Sequence, residues 1–398
     1  MRNNNFTILP FWKKNKLVLK LFNIFGEENI KLVGGAVRVA LKNDKTNDID
    51  FAINIKPDLV KKKLKKNDIK FKDKSKGHGT ISIFSKNNSI EITSIRKDIE
   101  TFGRKAKVEF INSFHEDAKR RDFTVNSIYS DLEGNLFDPF HGVKDLEESK
   151  IKFIGNPLKR ITEDNLRLLR YFRFVGTYSS KEKQLHLKSL KVCLENFSKI
   201  QSLSKERIQI EFFKLLLSDN VSFVLLILKN NNLLNFLVNG LQKISFQSIR
   251  EFNHLPKELN IRLAYLIKKT QIKITVLNES LKIGNSNIVR LQNVLSIKNP
   301  INTENEAKIN KYYYGKEVAI INYKLNQFIS KKKVNNKVLK VLNNWCVPKL
   351  PINGNDVIKY KKIKGKEVGV VLQKIENWWV KSCFLPLRKE CLKKLESI

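Results

Sequence analysis

Residues 32–53 read LVGGAVRVALKNDKTNDIDFAI, and this one stretch holds the pattern of a strand, a turn, a helix and a second strand. Leu32 and Val33 end a short apolar run, and Gly34-Gly35 break it with a turn. AVRVALK has the apolar spacing of a helix. From Asp48 onward the pattern alternates, so Ile49, Phe51 and Ile53 share one face of a strand and Asp48 and Asp50 share the other. Two carboxylates on one face repel each other unless a proton or a cation lies between them. An isolated pair of this kind is also common on solvated strand edges. The neighbours change that reading. Gly34 and Gly35 let a ligand approach the backbone closely. The helix start offers free N–H groups to phosphate, and Arg38 adds a charged fork. A phosphate cradle followed by a carboxylate pair suits transfer of a nucleotidyl group to a hydroxyl. The expected metal is Mg2+, held by Asp48 and Asp50, because it favours carboxylate oxygens and completes its shell with phosphates and water.

The rest of the composition agrees with a polyanionic partner. The 398 residues carry 76 Lys and Arg against 39 Asp and Glu, a formal charge of +37. Such a surface repels itself and attracts nucleic acid first and acidic membrane surfaces second. Cys193, Cys346, Cys383 and Cys391 are far apart and form no CxxC pair. That spacing argues against a disulfide framework or a zinc site and fits a reducing compartment. The longest apolar runs, such as Val224–Leu228, are too short to span a bilayer. Residues 11–25 are apolar but interrupted by Lys13, Lys14, Lys16 and Lys20, which predicts an amphipathic helix and not a signal peptide. The expected location is the cytoplasm, with no membrane and no protein partner implied.

Residues 30–150 read as mixed α/β. GTISIF and SIEITSI alternate like half-buried strands, with Ile81 and Ile83 on one face, Ile90 and Ile92 on one face, and a turn at Asn87-Asn88. From about residue 160 the pattern turns helical. TEDNLRLLRYFRF predicts a helix over 163–174 capped by Thr162, and SKERIQIEFFKLL has the same grammar from Ser204. The fold class is α+β: an N-terminal head with a mixed sheet and helices, then an elongated all-α neck, body and tail. The expected divisions are a helical segment at 1–29, a catalytic head at 30–150, neck helices at 151–215, and a helical body and tail at 216–398.

Taken in order, these stretches resemble the class II tRNA nucleotidyltransferase (CCA-adding enzyme) and bacterial poly(A) polymerase family of the DNA polymerase beta superfamily. LVGGAVRVALKNDKTNDIDFAI is similar to its signature. GHGTISIF and EITSIRKDIETFGRKAKVEF resemble its third-carboxylate strand and mobile loop. KRRDFTVNSIY resembles its ribose-binding motif, and FDPFHGVKDL its DPFGG turn. ITEDNLRLLRYFRF resembles its templating helix, and SKERIQIEFFKLL its neck helix. LPINGNDVIKYKKIKGKEVGVVLQKIENWWV resembles the C-terminal segment of bacterial CCA-adding enzymes. The likeness is dense over 30–215 and returns at 350–380.

The resemblance implies Asp48 and Asp50 as metal ligands and Glu91 as an auxiliary carboxylate, although Glu91 fits a surface acid on an alternating strand equally well. It implies Gly34, Gly35 and Arg38 on the triphosphate, and Arg121, Asp122 and Asn126 about the phosphate and ribose. Asp164 and Arg167, with Arg170 and Arg173 continuing the series, would read the base. An Asp acceptor beside an Arg donor fork matches the amino-plus-ring-nitrogen edge of cytosine and of adenine and mismatches uracil and guanine. The implied substrates are CTP, ATP and the tRNA 3′ end. Three positions depart from the family pattern: Val39 stands for an acid, Phe102 for an acid before Gly-Arg, and His141 for the first glycine of the turn. His78, His115, His141, His186 and His254 form no metal pair. Lys and aromatic residues interleave at Lys311-Tyr312-Tyr313-Tyr314 and Tyr360-Lys361-Lys362, which suits shape-directed RNA binding. Trp378-Trp379 reads as core. The rivals are a poly(A) polymerase of the same family, a C-adding enzyme, and a basic RNA-binding protein with an idle head.

Overall fold

A computed structural model describes residues 8, 10–75, 79–84, 89–102 and 105–398. The chain divides into two compact units: residues 1–253 with 280–282, and residues 254–279 with 283–398.

The first unit opens with helix α1 (Lys16–Phe25), whose N-terminus is capped by the Asn15 side chain and whose end is turned by Gly26 at φ 81°. The next elements are β1 (Ile30–Val33), α2 (Gly35–Leu41), β2 (Asp48–Ile53), α3 (Pro57–Lys66), β3 (Phe71–Ser75), β4 (Thr80–Ile83) and β5 (Ser89–Ser94). A hairpin of β6 (Arg96–Phe102) and β7 (Lys105–Phe110) leads to α4 (Phe114–Lys119), β8 (Tyr129–Ser130), β9 (Leu136–Phe137) and α5 (Gly142–Glu147). Seven strands form one sheet in the order β3-β4-β5-β2-β1-β8-β9, and β6 and β7 pair separately. Among the described residues, β2 and β5 run parallel and the other neighbouring strands of this sheet run antiparallel. The sheet is therefore mixed, as its sequence pattern predicts.

Alternation divides the sheet into two faces. Leu32, Phe51, Ile81 and Ile92 join Phe22 and Phe25 of α1 and Val60 and Leu64 of α3 in the larger core. The N-terminal helix is thus part of the head's own core. Val33 and Ala52 face the other way and pack with Ala118 and Tyr129. Asp48 and Asp50 project to this second side, where they stay exposed while Ile49 and Phe51 are buried. The expected turn at Asn87-Asn88 and His78 lie outside the described residues.

The helical part of the unit begins with α6 (Pro157–Glu163), α7 (Leu166–Tyr178), α8 (Leu187–Glu195) and α9 (Lys205–Leu216). The single helix expected over 163–174 is two helices, and Thr162 is not a cap. Asn156 caps α6, with Pro157 in the first turn, and the Thr162 hydroxyl donates back to Leu158 O at 2.9 Å. Asp164 breaks the run with extended backbone at φ −155°, and Asn165 precedes α7.

The second unit is helical. Trp379 is buried there, and its indole N–H donates to Pro386 O at 2.9 Å. Tyr312 and Phe384 pack on its ring, so the core reading of Trp379 holds. In the INGNDV segment, Asn353 and Asp356 form a reciprocal helix cap. The KYYY stretch is only partly a surface: Lys311 is buried, whereas Tyr313 is exposed.

Candidate active site

The site starts from a single strand row. Asp50 is paired across to Val33 of β1 on one side and to Glu91 of β5 on the other. Because β1 ends at Val33, the chain turns there through Gly34, which holds φ 70° and ψ −118°. A side chain at Gly34 would lie 3.9 Å from Arg38 Nη1 and 4.0 Å from Asp50 Oδ2, while Gly35 has open space beside it. Gly34 therefore floors a recess shared by Arg38 and Asp50, and its left-handed backbone is what brings them together. Asp50 is exposed on the sheet face, yet the surrounding protein partly desolvates its carboxyl. Its carboxyl is raised above the ordinary carboxylate range, first by partial desolvation and then by Glu91, with Asp48 adding; Arg121 and Arg38 pull the other way. Mutual repulsion among the acids is the condition that a bound divalent cation relieves. Among the described residues, no group of three or more His, Cys, Asp or Glu side chains forms a metal cage. Asp48, Asp50 and Glu91 offer only carboxylate oxygens, the donor type that suits a hard divalent cation keeping water and substrate oxygens in its shell.

Arg38 and Arg121 both act electrostatically on Asp50, and each is held from behind. Arg38 donates from Nε to Tyr178 Oη at 3.0 Å and from Nη1 to Asn126 Oδ1, and lies 5.1 Å over the Phe174 ring. Arg121 donates from Nε and Nη2 to Asp117 Oδ2 at 3.1 and 3.0 Å, and from Nη1 to Asn126 O at 3.3 Å. Asp117 is fully buried and also accepts from Arg120 Nε at 2.8 Å and from the Tyr129 hydroxyl at 2.8 Å. Burial alone would raise its carboxyl, but Arg121 and Arg120 outweigh that and hold it well below the ordinary range. Asp122 is likewise buried. It accepts from Asn126 Nδ2 at 2.6 Å and from Arg170 Nε at 2.6 Å, and these partners overcome desolvation to keep it ionised. Asn126, expected at the ribose, thus spends both ends of its amide linking Arg38 to Asp122.

The residues expected to read the base are arranged differently from the expectation. Asp164 and Arg167 do not share a helical face, because Asp164 lies in the break before α7. Its carboxylate caps α7 by accepting from Leu166 N at 3.1 Å, and it takes Arg207 Nη2 of α9 at 3.0 and 2.8 Å. Arg167 Nη1 donates to Arg160 O at 2.8 Å and to Glu163 Oε2 at 2.6 Å. Arg170 and Arg173 do stay on one side of α7. Arg173 donates to buried Glu211 at 2.5 Å, and Arg38, Arg170 and Arg173 all lie within 5.8 Å of the Phe174 ring centre. The polar chain Arg38–Asn126–Asp122–Arg170 is therefore continuous from the glycine turn to the helix.

These motifs have counterparts in known proteins. The poly A polymerase head domain matches residues 30–152, and the domain described as "Probable RNA and SrmB- binding site of polymerase A" matches residues 184–244. CCA tRNA nucleotidyltransferase 1, mitochondrial, of Mus musculus is 31% identical over 387 residues, covering 94% of this chain and 88% of that protein. The chain belongs to the CCA tRNA nucleotidyltransferase family. The CCA-adding enzyme of Enterococcus faecalis is 35% identical over 216 residues, 54% of this chain and 51% of that one. The fold is shared with the Bacillus stearothermophilus CCA-adding enzyme solved in complex with CTP, at a TM-score of 0.81 and 23% identity, covering 96% of this chain and 98% of that one.

The departures from the family pattern now have places. Val39 lies within α2, half-buried, one residue past Arg38. Phe102 ends β6 and only its backbone is described; Gly103 and Arg104 lie outside the described residues. In the family's DPFGG turn, His141 takes the first glycine position in left-handed backbone, φ 57° and ψ 35°. The second glycine is the indispensable one. A Cβ on Gly142 would stand 2.2 Å from Thr124 O, and Asp138 accepts from Gly142 N and Val143 N at 2.8 and 2.9 Å. Gly142→Ala is expected to destabilise the first unit by about 1–3 kcal/mol through overpacking against the RRDF loop. Denaturant unfolding checks this, and an unchanged midpoint would show that the turn can shift freely.

Several residues that hold the site were not singled out by sequence reasoning: Asp117, Tyr129, Glu163, Tyr178, Arg207 and Glu211. For Asp117 the signal was present, three and four residues before Arg120 and Arg121 on one helix face. For Arg207 and Glu211 it was not, since their partners are tens of residues away.

Proposed function

We propose that the protein is a Mg2+-dependent, template-independent nucleotidyltransferase that adds CMP and AMP from CTP and ATP to the tRNA 3′ end. The observation that carries this reading is the meeting of Arg38 and Asp50 at the Gly34 turn, with Arg121 acting on Asp50 and with Asp48 and Glu91 on the same sheet face. Mg2+ held by Asp48 and Asp50 would neutralise triphosphate charge and make the 3′-hydroxyl a better nucleophile. Arg38 and Arg121, braced by Asn126 and Asp117, would hold the phosphates in line without reorganising during transfer. Glu91 would keep the recess acidic beside Asp50. Asp122 and Asn126 would act mainly by fixing Arg38 and Arg170, and only secondarily at the ribose. Residues 30–150 would form the catalytic head behind the 1–29 segment, 151–215 the base-reading neck, and 216–398 the tRNA-binding body and tail. The four free thiols fit a reducing compartment, and the cytoplasm is the proposed location. Among the described residues, no helix is long and apolar enough to cross a membrane.

Base selection is assigned to Asp164 and Arg167, with Arg170 and Arg173 setting the helix that carries Arg167. Incoming base edges would compete with Arg207 for Asp164 and with Glu163 for Arg167. The test is incorporation from each of the four nucleoside triphosphates alone. CTP and ATP are expected as substrates, with UTP and GTP refused. Asp164→Ala with Arg167→Ala should bring the four rates within about tenfold of one another before abolishing transfer, because a buried polar mismatch is what rejects the wrong bases. Selection that survives the double substitution would remove these two residues from base reading.

A further inference from the structure

The sheet registers extend the catalytic row beyond the carboxylates. Asp48 is paired with Ser89, and Asp50 with Glu91. Glu91 is paired in turn with Ser82 of β4, and Ser82 with Lys72 of β3. One step further along the same ladders, Phe84 lies opposite Ser89, and Phe84 N donates to Lys70 O at 3.1 Å. Directly paired residues project to the same face. Two rows therefore run across one face: Asp48, Ser89, Phe84, Lys70, and Asp50, Glu91, Ser82, Lys72. The exposure pattern agrees at the rows' ends: Asp48, Ser89, Phe84, Lys70 and Lys72 are exposed and Glu91 and Ser82 are half-buried, while Ile49, Ile90 and Ile83 between the rows are buried. Phe84 is 63% exposed, and at about 4.8 Å per strand it sits roughly 10 Å from Asp48.

A single exposed aromatic is ordinary, but this one shares a row with a catalytic carboxylate and is flanked by two lysines. Arg38, on the helix that follows β1, and Arg121, bonded to Tyr129 of β8 beside β1, belong to the opposite, β1 side of Asp50. In-line displacement needs the attacking hydroxyl on the other side from the leaving pyrophosphate, which is the side toward β5, β4 and β3. We propose that this strip is a platform for the single-stranded 3′ end of the RNA: Phe84 stacks on a nucleobase, and Lys70 and Lys72 hold backbone phosphates. The face's cationic edge complements a polyanion, and stacking with basic flanks is how unpaired strands are held without base reading. This inference rests on the transferase reading above.

The test uses the full chain and a tRNA transcript lacking its terminal CCA, with 2-aminopurine at its 3′-terminal nucleotide. Binding is followed in Asp50→Ala, where no turnover interferes, with and without Phe84→Ala. Stacking predicts that the fluorescence is quenched on binding and that Phe84→Ala removes the quench. In the otherwise native chain, Phe84→Ala should raise the KM for RNA about tenfold, leave the KM for CTP unchanged, and be rescued by Phe84→Tyr. Lys70→Gln with Lys72→Gln should reduce the slope of log affinity against log salt by about 1.4. An unchanged quench and RNA KM in Phe84→Ala would overturn the platform. The quench needs no incorporation, so failure of the native chain to add any nucleotide would count against the transferase reading and not against the platform.

Discussion

Asp50→Ala is expected to reduce nucleotide incorporation by about a thousandfold or more while leaving tRNA affinity within about twofold. The residue sits at the centre of the recess, with Glu91 in register on one side and the Gly34 turn on the other. Its removal takes away half of the proposed Mg2+ pair, and the loss of preorganised charge at a transferring phosphoryl group is typically worth 10²–10³ or more. It removes no cation from the surface, so the electrostatic term that dominates RNA affinity is untouched. Asp48→Ala should behave alike. Rates measured under saturating RNA and CTP, alongside filter-binding affinities, separate the two quantities. Near-normal turnover in Asp50→Ala would show that the metal assignment is wrong.

The second large effect concerns stability. Asp117→Ala is expected to cost about 3–5 kcal/mol, because it leaves Arg120, Arg121 and the Tyr129 hydroxyl without their shared buried acceptor. Asp117→Asn keeps the volume and one acceptor and should cost less. Turnover should fall in both, since Arg121 loses the group that aims it. Asp117 and Asp122 are both held below the ordinary carboxylate range in the folded chain. Their stabilisation is therefore fully present at neutral pH and is lost progressively as the pH falls below about 4. Urea melts at pH 7 and at lower pH measure both effects. A cost under about 1 kcal/mol for Asp117→Ala would mean that the arginines find other partners.

The strand that carries Asp48 and Asp50 was legible because its information is local. Period-two alternation alone puts Asp48 and Asp50 on one face, and the Gly-Gly turn requires no distant partner. The segment proposed to read the base was read less well. Glu163, Asp164 and Arg167 have helical spacing, but Asp164 is pulled out of the helix by two interactions: it caps Leu166, and it pairs with Arg207, more than forty residues away in sequence. Nothing in the local pattern encodes that partner. Asn126 was similarly assigned to the ribose by its motif, whereas its surroundings tie it to Arg38 and Asp122. Lys311 was read, with its neighbouring tyrosines, as part of an RNA-binding stretch, but its side chain is buried. In each case the folded chain gives the residue a surrounding that the local pattern does not encode.

The central claim is tested most directly by extending a tRNA transcript that lacks CCA, with Mg2+, CTP and ATP together, and sequencing the product ends. The account predicts two C residues, one A, and then a stop. A long A tail would contradict it in favour of a poly(A) polymerase. Addition that halts after C would restrict the protein to C transfer, and no addition would leave a basic RNA-binding protein with an idle head.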